Sequence, residues 1–285
     1  MSGLGLNDSE GQTRAEDAES ENPKSSPIIS DMLRIDRQDE VTNLTLTRPE
    51  VRNAFNDELI AALDDAFASL DPETRVVTLR GEGKVFCAGG DLEWMRKAAS
   101  YTEEQNVADA LKLADLFAKI QSCPALTICV VQGAAFGGGL GLVAACDVAV
   151  AVQGTKFCFS EVRLGLIPAT ISSVVIPKIG PGHSRALFAT AEVFLADRAE
   201  RMGLVHQVTA TEEEALAAAE KMAFSALENG PQAVTEAKRL VLDYPLSQEE
   251  TARRLARARA GEEGREGVTA FLEKRVASYN LGGKS

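Results

Sequence analysis

An α/β layered fold with a helical C-terminal third is predicted by three features of the sequence. Short apolar runs alternate with helix-period segments from about residue 40 to about residue 180, two of those runs end in glycine clusters, and beyond residue 180 the strand signal fades into helical patterning. Strands separated by helices imply parallel pairing in a layered sheet. The chain has 285 residues, 45% of them hydrophobic, which suffices for one large core with at most a small appendage.

Val41 to Thr47 alternates apolar and polar residues with period two and predicts a strand. Asn56 predicts the N-cap of a helix whose apolar positions Leu59, Ile60, Leu63, Phe67 and Leu70 recur at helical spacing. Arg75 to Leu79 predicts the next strand, and a longer helix follows with Leu111, Leu113, Leu116, Phe117 and Ile120. Leu126 to Val131 predicts a strand, Gly138 to Cys146 a buried helix, and Asp147 to Val152 another strand. The segments 182–190, 212–228, 231–243 and 248–278 predict helices, and a helical region without its own sheet suits docking on a neighbouring subunit. Residues 1–27 are rich in Ser, Glu, Asp and Gly and predict a disordered acidic tail, with no hydrophobic stretch of the secretory kind. The organisation expected is a tail over 1–27, a core over 28–215 and a helical C-terminal region over 216–285.

Composition narrows the function. A net charge of −12 argues against nucleic acid, which requires a basic face. No apolar run approaches the roughly 18 residues of a membrane span, so no membrane partner is expected. Five cysteines, an odd number set mostly in apolar runs, suit reduced buried thiols and a cytoplasmic location. His183 and His206 are far apart, and neither CxxC nor HExxH occurs, so no metal site is expected.

The chemistry concentrates in two glycine turns: Val85-Phe86-Cys87-Ala88-Gly89-Gly90-Asp91, and Val131 to Gly141 with its Gly137-Gly138-Gly139 triplet. Glycine lets backbone N–H groups approach a ligand closely. Two such loops can aim two N–H groups at one oxygen and stabilise the negative charge that develops on a carbonyl during acyl chemistry. Gly139-Leu140-Gly141-Leu142-Val143-Ala144 also fits the dinucleotide pattern GxGxxA, with Glu161 about twenty residues on. The preceding strand is not the opening one, however, and Glu161 lies in a loop, which argues against nucleotide binding. Tight packing of a buried helix is the plainer alternative.

Several motifs together resemble the enoyl-CoA hydratase/isomerase (crotonase) superfamily. They are Thr47-Arg48-Pro49-Glu50-Val51-Arg52-Asn53-Ala54-Phe55, Phe86-Cys87-Ala88-Gly89-Gly90-Asp91-Leu92, Gln132 to Gly139, Ala196-Asp197-Arg198-Ala199 with Gly203-Leu204-Val205, and Ala270-Phe271-Leu272-Glu273-Lys274-Arg275. The resemblance spans about residues 30 to 280. Within the superfamily, Asp91 to Met95 and Phe136 to Leu142 are most similar to bacterial methylglutaconyl-CoA and isohexenylglutaconyl-CoA hydratases. It implies a ββα spiral core with a helical C-terminal trimerisation region, and a homotrimer or dimer of trimers. It also implies an acyl-CoA thioester substrate, with coenzyme A entering as part of that substrate and no separate cofactor. By position, the Gly90 and Gly138 N–H groups would hold the thioester oxygen. Val51, Arg52, Ala54, Ala88 and Asp91 would line the CoA channel, while Phe271 and Lys274 would reach the CoA of a neighbour; a solvated helix charge is the alternative for Lys274.

The sequence departs from the standard hydratase in one respect. The resemblance implies two glutamates, and the first of these positions is Gly141, leaving Glu161 alone. A single carboxylate suits proton removal and return in an isomerase, or both acid and base duty in a hydratase whose water is held elsewhere or by the substrate. On its apolar loop Glu161 should be partly desolvated and its pKa raised. Glu93 is either a reserve carboxylate or an ordinary helix charge, and Trp94, Met95, Phe136, Leu164, Ile167 and Pro168 either shape the acyl pocket or form core. The expected activity is hydration, or the reverse, of a branched α,β-unsaturated acyl-CoA. The alternatives are Δ3–Δ2 enoyl-CoA isomerisation and an inactive acyl-CoA-binding protein. RNA binding is rejected, since Asp57 to Leu70 carries four acidic residues and no lysine.

Overall fold

The computed structural model describes residues 28–282; the tail expected over 1–27 lies outside them. The chain opens with β1 (Ile28–Ile29), β2 (Leu33–Gln38) and β3 (Val41–Leu46), then α1 (Asp57–Ala68), β4 (Val76–Gly81), α2 (Leu92–Ala98), α3 (Glu103–Gln121) and β5 (Leu126–Val131). Next come β6 (Ala134–Phe136), α4 (Gly138–Ala145), β7 (Val148–Val152), β8 (Lys156–Cys158), α5 (Ala169–Thr190), β9 (Phe194–Leu195), α6 (Ala196–Arg201) and β10 (Gln207–Thr209). Helices α7 (Glu212–Leu227), α8 (Pro231–Leu242), α9 (Gln248–Ala260) and α10 (Glu262–Glu273) complete it.

A seven-stranded sheet runs in the order β1-β2-β3-β4-β5-β7-β10, and a three-stranded sheet in the order β6-β8-β9. From β3 to β10 the large sheet is parallel, as alternating strands and helices require, whereas β1, β2 and β3 pair antiparallel through tight turns. Strands β6, β8 and β9 have two or three residues each, too few for alternation to show in sequence. For the same reason β9 and β10 escape notice beyond residue 180, and the expectation that strands end there is corrected.

Helix α1 begins as predicted: the Asn56 side chain accepts the Leu59 N–H at 2.9 Å, and Leu59, Ile60, Leu63 and Phe67 are buried. On α3 the buried stripe is Asp109, Leu113, Leu116, Phe117 and Ile120, while Leu111 is exposed. The apolar stripe expected through Leu111 therefore runs through a carboxylate one turn before Leu113. The helix expected over 248–278 is two helices meeting at Gly261, whose extended backbone caps α10. Their charged sequence has no apolar rhythm to mark the break. A Cβ on Gly264 would lie 2.0 Å from the Ala258 carbonyl oxygen, so glycine permits the tight turn between them.

The two faces of the large sheet are covered differently. One packs under α1, α3, α4 and α5 in the main core. The other carries Val76, Ile128, Val130 and Val150 under the alanine stripe Ala215, Ala219, Ala223 and Ala226 of α7. The division expected between residues 215 and 216 thus falls inside α7, a helix that belongs to the sheet's packing. All five cysteines are buried thiols, none in a disulfide.

Candidate active site

The first glycine turn is held at both ends. Cys87 N–H donates to Ala134 O at 3.2 Å, and Phe136 N–H to Cys87 O at 3.0 Å. Phe55 N–H donates to Gly89 O and Asp91 N–H to Phe55 O, each at 2.7 Å. In a parallel bridge of this kind the strand bonds go to the residues flanking Gly90, so its own N–H faces the other way. Among the described residues the Gly90 N–H has no acceptor.

The second turn leads from β6 into α4. Gly137 has φ +49° and ψ −121°, a conformation a residue with a Cβ cannot hold without strain. Its N–H donates to Cys158 O at 3.0 Å, which ties the turn to β8. Gly138 is the first residue of α4, so its N–H has no partner within the helix and lies at the positive end of the helix dipole.

The two turns touch. A Cβ built on Gly89 would lie 3.1 Å from Phe136 O, and one on Gly137 would lie 3.9 Å from the Gly89 Cα and 3.4 Å from Glu161 Oε1. The residues that follow these two glycines, Gly90 and Gly138, therefore present free N–H groups from adjoining turns, with the Glu161 carboxyl beside them. Glu161 starts a short 3₁₀ turn, Glu161–Leu164, and is half-buried. Its Oε2 is buried without a hydrogen-bond partner among the described residues. Burial raises its pKa, opposed in part by its own backbone N–H. The surface-exposed alternative for Glu161 does not hold.

Gly141 has a steric cause. A Cβ there would meet the Phe117 ring at 2.3 Å and Ile171 Cγ2 at 2.7 Å. The space that a carboxylate at position 141 would need is filled by Phe117, so no side chain fits without repacking α3. Glu93 is exposed on α2 and ion-paired with Arg96, an ordinary helix charge.

A cavity of about 1040 Å³ opens beside Gly90, and Val51, Arg52, Ala54, Ala88 and Asp91 all line it. Phe271 and Lys274 do not: Phe271 is 82% exposed on α10, and Lys274 caps that helix in a left-handed conformation. The Asp91 carboxylate is committed within the protein, ion-paired with Arg48 at 3.1 Å and accepting the Glu93 N–H at 2.9 Å to cap α2. Burial works to raise its pKa, but the Glu93 N–H and Arg48 outweigh it and hold the group below its ordinary value. Asp91 thus shapes the cavity wall and has little acceptor capacity left for a ligand. The expectation that it binds CoA is narrowed to that wall.

Three further residues were not singled out by the sequence. Arg48 also donates to Ala54 O at 2.8 Å, fixing the loop that follows β3. Asn53, fully buried with φ +53°, accepts the Arg48 N–H and donates to Glu82 O and Val85 O, each at 2.9 Å. Asp109 is buried on α3, and its only sequence signal is a charge in register with an apolar stripe.

The fold and this pair of turns define a crotonase-type protein, and comparison with known proteins agrees. The profile of the enoyl-CoA hydratase/isomerase family matches residues 36–281. The chain belongs to that family, within the crotonase superfamily, and the activity that goes with this membership is enoyl-CoA hydratase activity on acyl-CoA thioesters. The crotonyl-CoA hydratase of Syntrophomonas wolfei is 32% identical over 256 residues, covering 86% of this chain and 96% of that protein. An enoyl-CoA hydratase structure from Shewanella pealeana has a TM-score of 0.83 at 38% identity, covering 86% of this chain and 95% of that one. The structure of Pseudomonas aeruginosa AtuE has a TM-score of 0.84 at 32% identity, covering 88% of this chain and all of that one.

Proposed function

We propose that this protein hydrates, or in reverse dehydrates, a branched α,β-unsaturated acyl-CoA of the methylglutaconyl type through a thioester enolate. The Gly90 and Gly138 N–H groups hold the thioester oxygen as charge develops on it, and Glu161 exchanges the α-proton. The observation that carries the reading is the meeting of the two glycine turns beside a half-buried carboxyl whose Oε2 has no protein partner. A raised pKa suits Glu161 to proton transfer near neutral pH. A methylglutaconyl-type acyl chain ends in its own carboxylate, which orients water where Gly141 carries no side chain to do so. Val51, Arg52, Ala54 and Ala88 guide the CoA along the cavity, and Phe271 and Lys274, exposed on α10, reach the CoA of a neighbour in a trimer or a dimer of trimers. Five reduced thiols suit a cytoplasmic enzyme.

The filled space at Gly141 favours a second reading, Δ3–Δ2 isomerisation, which needs one carboxylate only. A panel of 2-enoyl- and 3-enoyl-CoA thioesters in ¹⁸O-water separates the two. Hydration puts the label into a 3-hydroxyacyl product, and isomerisation incorporates none. Binding of every thioester without turnover leaves only an acyl-CoA-binding role. Glu161→Gln should lower turnover by about 100-fold or more while acyl-CoA still binds. An unchanged rate removes Glu161 from the chemistry.

A further inference from the structure

Gly141 leaves the reaction one carboxylate short, and the buried stripe of α3 carries another. Leu113 Cδ2 lies 4.0 Å from where a Gly138 Cβ would be, and Phe117 meets Gly141, so α3 runs beside α4 in the same sense. Asp109 is one helical turn before Leu113, about 5 Å further along the axis. That position is beyond the start of α4, on the side toward which the α4 N–H groups point. Trp94, whose ring comes within 3.5 Å of a Gly90 Cβ position, borders the same space from α2.

We propose that Asp109 is the second acid–base group of this active site, taking the proton from the water that adds to the β-carbon. The assignment rests on the hydratase reading above. Asp109 is 8% exposed, and its polar neighbours are the Trp94 indole N–H and the Asp57 carboxyl. Lys112 Nζ is 3.9 Å from its Oδ1, longer than a hydrogen bond. Among the described residues the Trp94 indole N–H and Asp57 Oδ1 are buried with no partner at full hydrogen-bond geometry. A buried indole donor left short of full hydrogen-bond geometry beside a buried carboxyl costs stability unless something else completes its hydrogen bonding. A water bound to Asp109 and Trp94 meets that need.

The charged groups facing Asp109 are Asp57 at the start of α1 and Lys112 on its own helix, with Lys97 of α2 paired to Asp57 at 3.2 Å. Burial first, then the neighbouring Asp57, raises the Asp109 pKa against the pull of Lys112 and Trp94, which makes it a stronger base than a surface aspartate. The step balances. The water oxygen bonds to the β-carbon as its proton passes to Asp109. The double-bond electrons move to the thioester oxygen at Gly90 and Gly138. The enolate then takes the Glu161 proton at the α-carbon, and solvent resets both carboxyls.

The test compares two reactions of wild type, Asp109→Asn and Glu161→Gln. One is hydration of the best enoyl-CoA in the panel, the other exchange of the α-protons of its saturated analogue with D₂O. Exchange needs Glu161 and the two N–H groups only. Asp109→Asn should lose hydration by about 100-fold and keep exchange within about 3-fold, while Glu161→Gln loses both. Hydration that survives in Asp109→Asn overturns the Asp109 role and leaves the hydratase reading standing. Joint loss of both reactions in that variant also overturns it, as the mark of a structural residue. Wild-type protein that exchanges but hydrates no thioester overturns the hydratase reading and the Asp109 role with it. The pH profiles of the wild type give a check independent of folding: hydration should be bell-shaped and exchange should show a single rise. A hydration profile that lacks the acidic limb overturns the proposal.

Discussion

The two glycine turns present the same group, a free backbone N–H, from opposite kinds of support. After the second turn comes α4, in which every residue except Gly138 is buried. After the first comes α2, in which none is fully buried: Leu92 is 76% exposed, and the helix is held by the Asp91 cap and by Trp94 and Met95 resting over Gly90. A wholly buried helix cannot shift without disturbing the core, whereas a lightly packed one can part from its neighbours at small cost. The second N–H donor is therefore set on a rigid, buried helix, whereas the wall beside the first is lightly packed.

The comparison is broken most severely by removing a donor. Gly90→Pro deletes its N–H and should lower kcat by about 100- to 1000-fold, whereas Gly90→Ala, whose Cβ presses on the flexible Met95 side chain at 3.3 Å and meets the Trp94 ring at an ordinary 3.5 Å, should stay within about 10-fold. Steady-state kinetics of the two variants decide whether the N–H or the bare space matters. Next in size is Arg48→Met, which leaves the largely buried Asp91 carboxylate unpaired and should cost about 3 kcal/mol in a denaturant titration at pH 7. Because the folded Asp91 pKa lies below its ordinary value, the ion pair stabilises at neutral pH and its contribution fades as pH falls through that lowered value. The deficit of Arg48→Met should shrink in acid accordingly.

On the rigid side, Gly141→Ala sets a methyl against Phe117 at 2.3 Å and should cost about 2 kcal/mol, read as a lower Tm. Adding Phe117→Leu should recover part of it, and a Gly141→Ala protein as stable as wild type would mean that α4 is not locked by α3. A smaller effect is expected at Glu161. Its folded pKa is raised, so the ionised group destabilises at neutral pH and the protein gains stability as pH falls through that raised value. Glu161→Gln should therefore raise Tm at pH 8 and leave it nearly unchanged at pH 4. The smallest is Leu92→Ser on the exposed face of α2, expected within about 0.5 kcal/mol of wild type.

Those same regions show how far the sequence could be read. The Asn56 cap, the strand Leu126–Val131 and the buried helix after Gly138 were legible because each writes its period or its cap into consecutive residues. The glycine turns and Glu161 were legible through their resemblance to a family. The small sheet was not, since β6, β8 and β9 are too short to carry a pattern and exist only because the chain folds back on itself.

By itself the sequence determined the alternation of strands and helices, the placement of glycine at two turns and a glycine at position 141, where the family resemblance implies a carboxylate, because local backbone freedom and side-chain identity are properties of single residues. Only the tertiary structure decided that Gly89 touches Gly137, that Phe117 fills the space above Gly141, and that Asp109 lies in the buried stripe beside Trp94. Those are meetings of residues from separate elements, fixed by how helices and strands pack, and no local pattern encodes them.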